Sequence, residues 1–137
     1  MIIYNTESPM KKKFPLIARI LLGLIFFIFG IAGLFNLISP PDNTPQEMIT
    51  FMNGMTATTY FFPLLKCTEI ICGALLLFGA FVPLALIVLA PIVLNIFLIH
   101  LFVDPSALPM AIFIGVLEIY LSFFAKPYSD TVKQIFK

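Results

Sequence analysis

The sequence predicts an all-α integral membrane protein: an antiparallel bundle of four transmembrane helices, with a short amphipathic helix in the outer loop between spans one and two. Three observations lead there. Of the 137 residues, 61% are hydrophobic and only 11% charged, too apolar for a water-soluble domain of this size. The apolar residues fall into four runs, at about 15–38, 60–79, 82–103 and 107–125, each close to the roughly 20 residues that cross a hydrocarbon core of about 30 Å. Finally, Arg19, Lys66, Glu69, Asn95, His100 and Glu118 stand inside or at the ends of these runs. An ionisable group at mid-membrane costs at least about 2.5 to 3.5 kcal/mol, so such groups mark sites.

Net charge is +1, which gives no reason to expect a nucleic-acid partner. The opening lysines and apolar run resemble a secretory leader. That run is longer than a leader core and ends without a small-x-small cleavage pattern, so it is expected to be retained as the first span. The chain then divides into a basic tail at 1–14, a four-helix membrane domain at 15–126 and a surface segment at 127–137. Lys11, Lys12 and Lys13 precede the first span, and Lys126, Lys133 and Lys137 follow the last. The long connections hold Asp42, Glu47 and Asp104 instead. The positive-inside rule therefore expects both termini in the cytoplasm.

In span one, Arg19, Gly23, Phe26, Gly30 and Gly33 recur at steps of four and three, which is one helix face. Small residues on a single face let a neighbouring backbone approach closely in lipid. Between spans one and two, Thr44, Pro45 and Glu47 match an N-cap, a first-turn proline and the acid of a capping box. Met48, Phe51, Met52 and Met55 follow at i, i+3, i+4 and i+7, an apolar stripe expected to lie across the outer mouth as a lid or anchor.

Span two carries Lys66, Glu69, Gly73, Leu76 and Ala80 along one side. From Tyr60, a rise of 1.5 Å per residue puts Lys66 and Glu69 about 9 to 14 Å deep, where Glu69 must pair, line a wet cavity or take up a proton. Cys67 and Cys72, five apart on a helix, are roughly 8 to 9 Å apart and face different ways, so they cannot pair with each other. A tight connection at 79–83 leads into span three, where Pro91 removes one backbone donor. Asn95 lies at nearly the depth of Glu69, and the two are expected to face each other, while Asp104 would orient His100 one turn earlier. Span four carries Ala111, Gly115, Glu118 and Ser122 in a further small and polar stripe, with Glu118 level with Arg19 and expected to bridge to it. After Pro127, Val132, Ile135 and Phe136 with Lys133 and Lys137 suggest a short surface helix on anionic lipid.

Two polar sites follow: an outer-half pocket of Lys66, Glu69, Asn95 and His100, and an inner pair of Arg19 and Glu118. No metal-type cysteine or histidine spacing, phosphate loop, internal repeat or catalytic triad is present.

The chain resembles the DoxX family of small bacterial four-helix membrane proteins, through ARILLGLIFFIFGIAGLFNLI, YFFPLLKCTEIICGALLLFGAFVPLALIVLAPIVLNIFLIHLFVDP and LEIYLSFFAKPY. The resemblance implies a multi-pass protein of the bacterial inner membrane, with membrane lipid around it. It also implies an accessory role in membrane redox or oxidative-stress chemistry, with a quinone-like lipophilic molecule as ligand and a membrane or peripheral redox protein, or further copies of the chain, as partner. The family supplies no agreed catalytic set to carry over. The alternative that the residues admit is an assembly protein that binds partner helices, and, less readily at this length, a transporter.

Overall fold

A computed structural model of the chain describes residues 9–126 and 128–135. Its helices are α1 (Pro9–Leu34), α2 (Gln46–Thr56), α3 (Phe61–Phe78), α4 (Val82–Phe102), α5 (Leu108–Ile119) and α6 (Tyr128–Ile135), with a 3-10 turn at Pro105–Ala107 and a π-helical turn at Tyr120–Phe124. Among the described residues, four helical stretches are long and apolar enough to span a membrane: Lys13–Leu34, Phe61–Phe78, Val82–Phe102 and Pro105–Phe124. They match the four predicted spans. They pack as a ring in which α1 lies along α3, α3 against α4, α4 against α5, and α5 back against α1.

The closest of these contacts is α1 on α3, and its glycines explain it. A Cβ added to Gly23 would lie 2.9 Å from the Gly73 carbonyl oxygen, and one on Gly73 would lie 2.7 Å from the Phe27 nitrogen. Only hydrogen fits between these backbones, as the stripe in span one predicts. Leu22 and Phe26 of α1, Leu76 of α3, Leu86 and Leu89 of α4 and Leu121 of the π turn fill the centre. Leucine and phenylalanine on the opposite faces remain exposed, as expected of a bundle whose solvent is lipid.

The ends of the elements depart from expectation in three places. α1 is helical from Pro9, running back through the three lysines into the stretch expected as a tail; residues 1–8 of that tail lie outside the described residues. It stops at Leu34, short of the expected end near 38. Asn36 adopts φ 54°, the Leu37 amide donates to Ala32 O at 2.8 Å, and the Asn36 amide donates to Gly33 O at 3.3 Å. That is a left-handed cap closing the last turn, and it overrides the apolarity of Leu37 and Ile38. Second, α2 forms where predicted but without its capping box. Thr44 Oγ1 donates backward to Pro41 O at 2.6 Å, and Pro45 caps the helix with no side-chain bond.

Third, α6 does more than lie on a surface. Val132 and Ser129 are buried against the bundle, while Lys133 and Ile135 are exposed. Phe136 and Lys137, expected on the same helix, lie outside the described residues, as does Pro127. The α3–α4 connection is as tight as predicted. Gly79 at φ 75° and Phe81 at φ 51° both take left-handed conformations, and the Gly79 and Ala80 amides converge on Leu75 O at 2.9 and 3.0 Å. Glycine carries that geometry without strain at the first position.

Candidate functional site

The predicted outer cluster forms only in part. Lys66 Nζ lies 3.1 Å from Glu69 Oε2, one helical turn apart, with the two side chains 18% and 6% exposed. Two neighbours hold the lysine there. Its Nζ sits 5.4 Å from the Phe62 ring centroid, and its stem crosses Gly33 of α1, where a Cβ would come within 2.7 Å of Lys66 Cε. The pair therefore satisfies itself and closes the α1–α3 interface.

Asn95 does not join it. The buried face of α4 is Val82, Ala85, Leu86, Leu89 and Val93, and Asn95 is turned away from that stripe and exposed, on the side of Leu84, Val88, Leu98 and Phe102. Azimuth keeps it out: two residues beyond Val93 is more than half a turn around the helix. His100 is half-buried, and its Nδ1 lies 3.0 Å from Asp104 O. The aspartate orients the imidazole as expected, but through its backbone carbonyl. Its carboxylate accepts from the Ser106 hydroxyl at 2.6 Å and the Ser106 amide at 3.3 Å. Met48, Phe51, Met52 and Met55 are all half-buried on α2, whose main contact is α3.

The expected Arg19–Glu118 bridge is absent. Arg19 Nη1 donates to Tyr128 OH at 3.1 Å, and the guanidinium packs over Gly79, where a Cβ would stand 2.5 Å from Nη1. Arg19 thus ties α1 to the C-terminal end of α3 and to α6, where a cation complements the helix dipole. Glu118 faces another way, toward Ser122 and the space between α4 and α5.

That other direction leads to a groove that the sequence does not reveal. A groove of about 500 Å³ runs between α4 and α5, bounded by Leu86, Ala90 and Phe97 on one side, Ile112 and Gly115 on the other, and Val132 of α6 at one end. Glu118 and Ser122 are its polar members. Leu94, Ile112, Val116 and Ile119 along its rim are 47 to 58% exposed, so the groove opens sideways onto the surface that faces acyl chains.

Glu118 is 5% exposed; its Oε1 accepts from Ser122 Oγ at 3.4 Å, and its Oε2 is buried with no hydrogen-bond partner among the described residues. Ser122 sits in the π turn, which widens the helix just after Glu118 and closes with the Ala125 amide donating to Tyr120 O at 2.9 Å. Such single-turn widenings recur where a helix presents side chains to a site. Across the core, Cys72 of α3 lies within electrostatic reach of Glu118. Cys67 is exposed, and both thiols are free, as their spacing requires.

The stripe Ala111, Gly115, Glu118 and Ser122 was legible in the chain. The partner wall from α4 was not, because α4 is apolar all round and its periodicity marks no face.

The DoxX family model matches residues 14–103, from the start of the first span through the end of α4. No curated protein and no solved structure matches the chain.

Proposed function

Because the chain belongs to the DoxX family, we propose that this multi-pass membrane protein holds a quinone-like lipophilic molecule in the α4–α5 groove, as an accessory to quinone-linked or oxidative-stress redox chemistry. The observation that carries the reading is the groove itself. Its volume, hydrocarbon walls and single buried carboxyl are what a small lipophile entering from the bilayer requires. Glu118, with Ser122, takes the ligand-binding and proton-handling role that the sequence suggested for Glu69 and His100. The lysines Lys13, Lys126 and Lys133 favour termini in the cytoplasm, and family membership favours a place in the bacterial inner membrane.

Gly115 supplies the test. A Cβ there would meet nothing within 4 Å, so Gly115→Leu fills the groove without disturbing the protein around it. Cells carrying Gly115→Leu at normal membrane levels should lose quinone-dependent respiration or oxidant resistance to the extent that a deletion does, and the purified variant should carry less extractable quinone than the parent. Unchanged phenotype and unchanged extract would overturn the proposal.

A second reading rests on Asn95. It is an exposed amide about 10 Å inside the end of α4, on a face otherwise made of hydrocarbon. A polar side chain there is met most economically by a hydrogen bond from another transmembrane helix, which favours an assembly role with a membrane partner or a second copy. A partner that co-purifies with the parent in mild detergent and is lost from Asn95→Leu supports this reading; full retention counts against it.

A further inference from the structure

We infer that the α4–α5 groove takes a single-tailed lipophile whose head is an un-ionised hydroxyl, received by Glu118 Oε2. The inference rests on the groove reading above and adds the chemistry of the head. Glu118 lines the groove, is 5% exposed and leaves one oxygen without a partner, while its other oxygen accepts from Ser122 Oγ at 3.4 Å. A buried polar atom left unpaired is costly, so the site is incomplete as the described residues build it. The remaining walls are hydrocarbon apart from Ser122, so the missing partner comes with the occupant.

Three head chemistries can be weighed against that geometry. An ammonium donates but cannot accept, and it must shed its water to enter. An ether or a carbonyl accepts but cannot donate, so it meets the carboxyl only when that group holds a proton. A hydroxyl does both, and pairs with Oε2 whether Glu118 is ionised or protonated, at the smallest desolvation cost of a donor. Position sets the tail. Glu118 lies six residues from Phe124, about 9 Å inside the end of its span, and the groove continues from it past Gly115 to Ile112 and Phe97. From Ile112 to Phe123 it extends about 16 Å, which suits one chain lying along the helices with its head toward α6.

The test compares matched probes on the purified full-length protein in detergent, with bound ligand counted by native mass spectrometry. Dodecanol should outbind dodecyl methyl ether and dodecylamine by at least about fivefold, the equivalent of one net hydrogen bond of about 1 kcal/mol. Decylhydroquinone should outbind decylquinone likewise. Whichever hydroxylated probe shows the larger ratio tells an alkyl alcohol from a phenolic head, and either result supports the inference. Glu118→Leu should bring both ratios to about one while the tails still bind. Gly115→Leu should lower binding of every probe by more than about tenfold. Equal binding of alcohol and ether by the parent, or preference for the amine, overturns the hydroxyl head and leaves the groove standing. No binding of any probe, or a dimer that Gly115→Leu disrupts, overturns the groove reading itself.

Discussion

Glu69 and Glu118 occupy similar stripes in two different interfaces, and packing treats them in opposite ways. On the α1–α3 side, Gly73 lies one turn from Glu69 and meets the backbone of α1, so the helices close completely and Lys66 folds over Gly33 to neutralise the acid. On the α4–α5 side, Gly115 lies one turn from Glu118 and meets nothing within 4 Å; the helices stay apart, and one carboxyl oxygen goes unpaired. The same residue types thus make a seam in one half of the bundle and a cavity in the other. What differs is the partner. Span one offers glycines to α3, whereas α4 offers leucine, isoleucine and phenylalanine to α5. A glycine facing glycines draws two helices together, and a glycine facing bulky side chains leaves a hollow beside them.

The comparison breaks first at the two glycines. Gly73→Leu would drive a side chain into the Phe27 backbone, 2.7 Å from where its Cβ would begin, and should destabilise the bundle by more than about 3 kcal/mol. Recovery of monodisperse protein in detergent and its melting temperature measure this. Gly115→Leu, the same exchange one interface away, should be neutral or stabilise by up to about 1 kcal/mol, since a helix interior gains from losing a glycine. If both variants fold equally well, the two interfaces are not different in kind.

The two acids give the next largest effect. Lys66→Ala leaves Glu69 buried without its cation and should cost about 3 to 5 kcal/mol, while Lys66→Met combined with Glu69→Leu should restore most of the loss. Glu118→Leu removes an acid that has no cation to lose, and should be neutral or stabilising by about 1 kcal/mol. Thermal unfolding of the three variants and the parent in one detergent decides it. Equal losses for Lys66→Ala and Glu118→Leu would mean that Glu118 has a structural partner after all.

Most of the frame was legible in the chain, and particular residues show why. Apolar run length set the four spans, and the Met48, Phe51, Met52 and Met55 spacing set α2. The glycine stripe correctly named the packing face of α1, and the three-residue spacing of Lys66 and Glu69 gave their contact. What failed was pairing across helices. Depth, a quantity that hydropathy supplies, pairs Glu118 with Arg19 and Glu69 with Asn95, whereas contact depends on azimuth as well. On α4 the azimuth was hidden, since leucine, isoleucine and valine surround it and no polar face marks the side turned to lipid. The π turn at Tyr120–Phe124 was hidden too, because nothing in YLSFF distinguishes a widened turn from an ordinary one.

The smallest effect on the isolated protein belongs to Asn95, and it sharpens the contrast from outside the bundle. Exposed on α4 and clear of both interfaces, the amide contributes no packing that Leu would lose. Asn95→Leu should therefore change the melting temperature of the purified protein little, within the effect of about 0.5 kcal/mol common for surface exchanges. Its consequence should appear only where another helix is present. In membranes, cross-linking at neighbouring positions of α4, such as Leu94→Cys and Leu98→Cys, should yield a defined adduct in the Asn95 background and lose it on Asn95→Leu, because the hydrogen bond between helices is the term removed. If the melting temperature instead falls by several degrees, then Asn95 is part of the fold and α4 has a buried side that the bundle does not reveal.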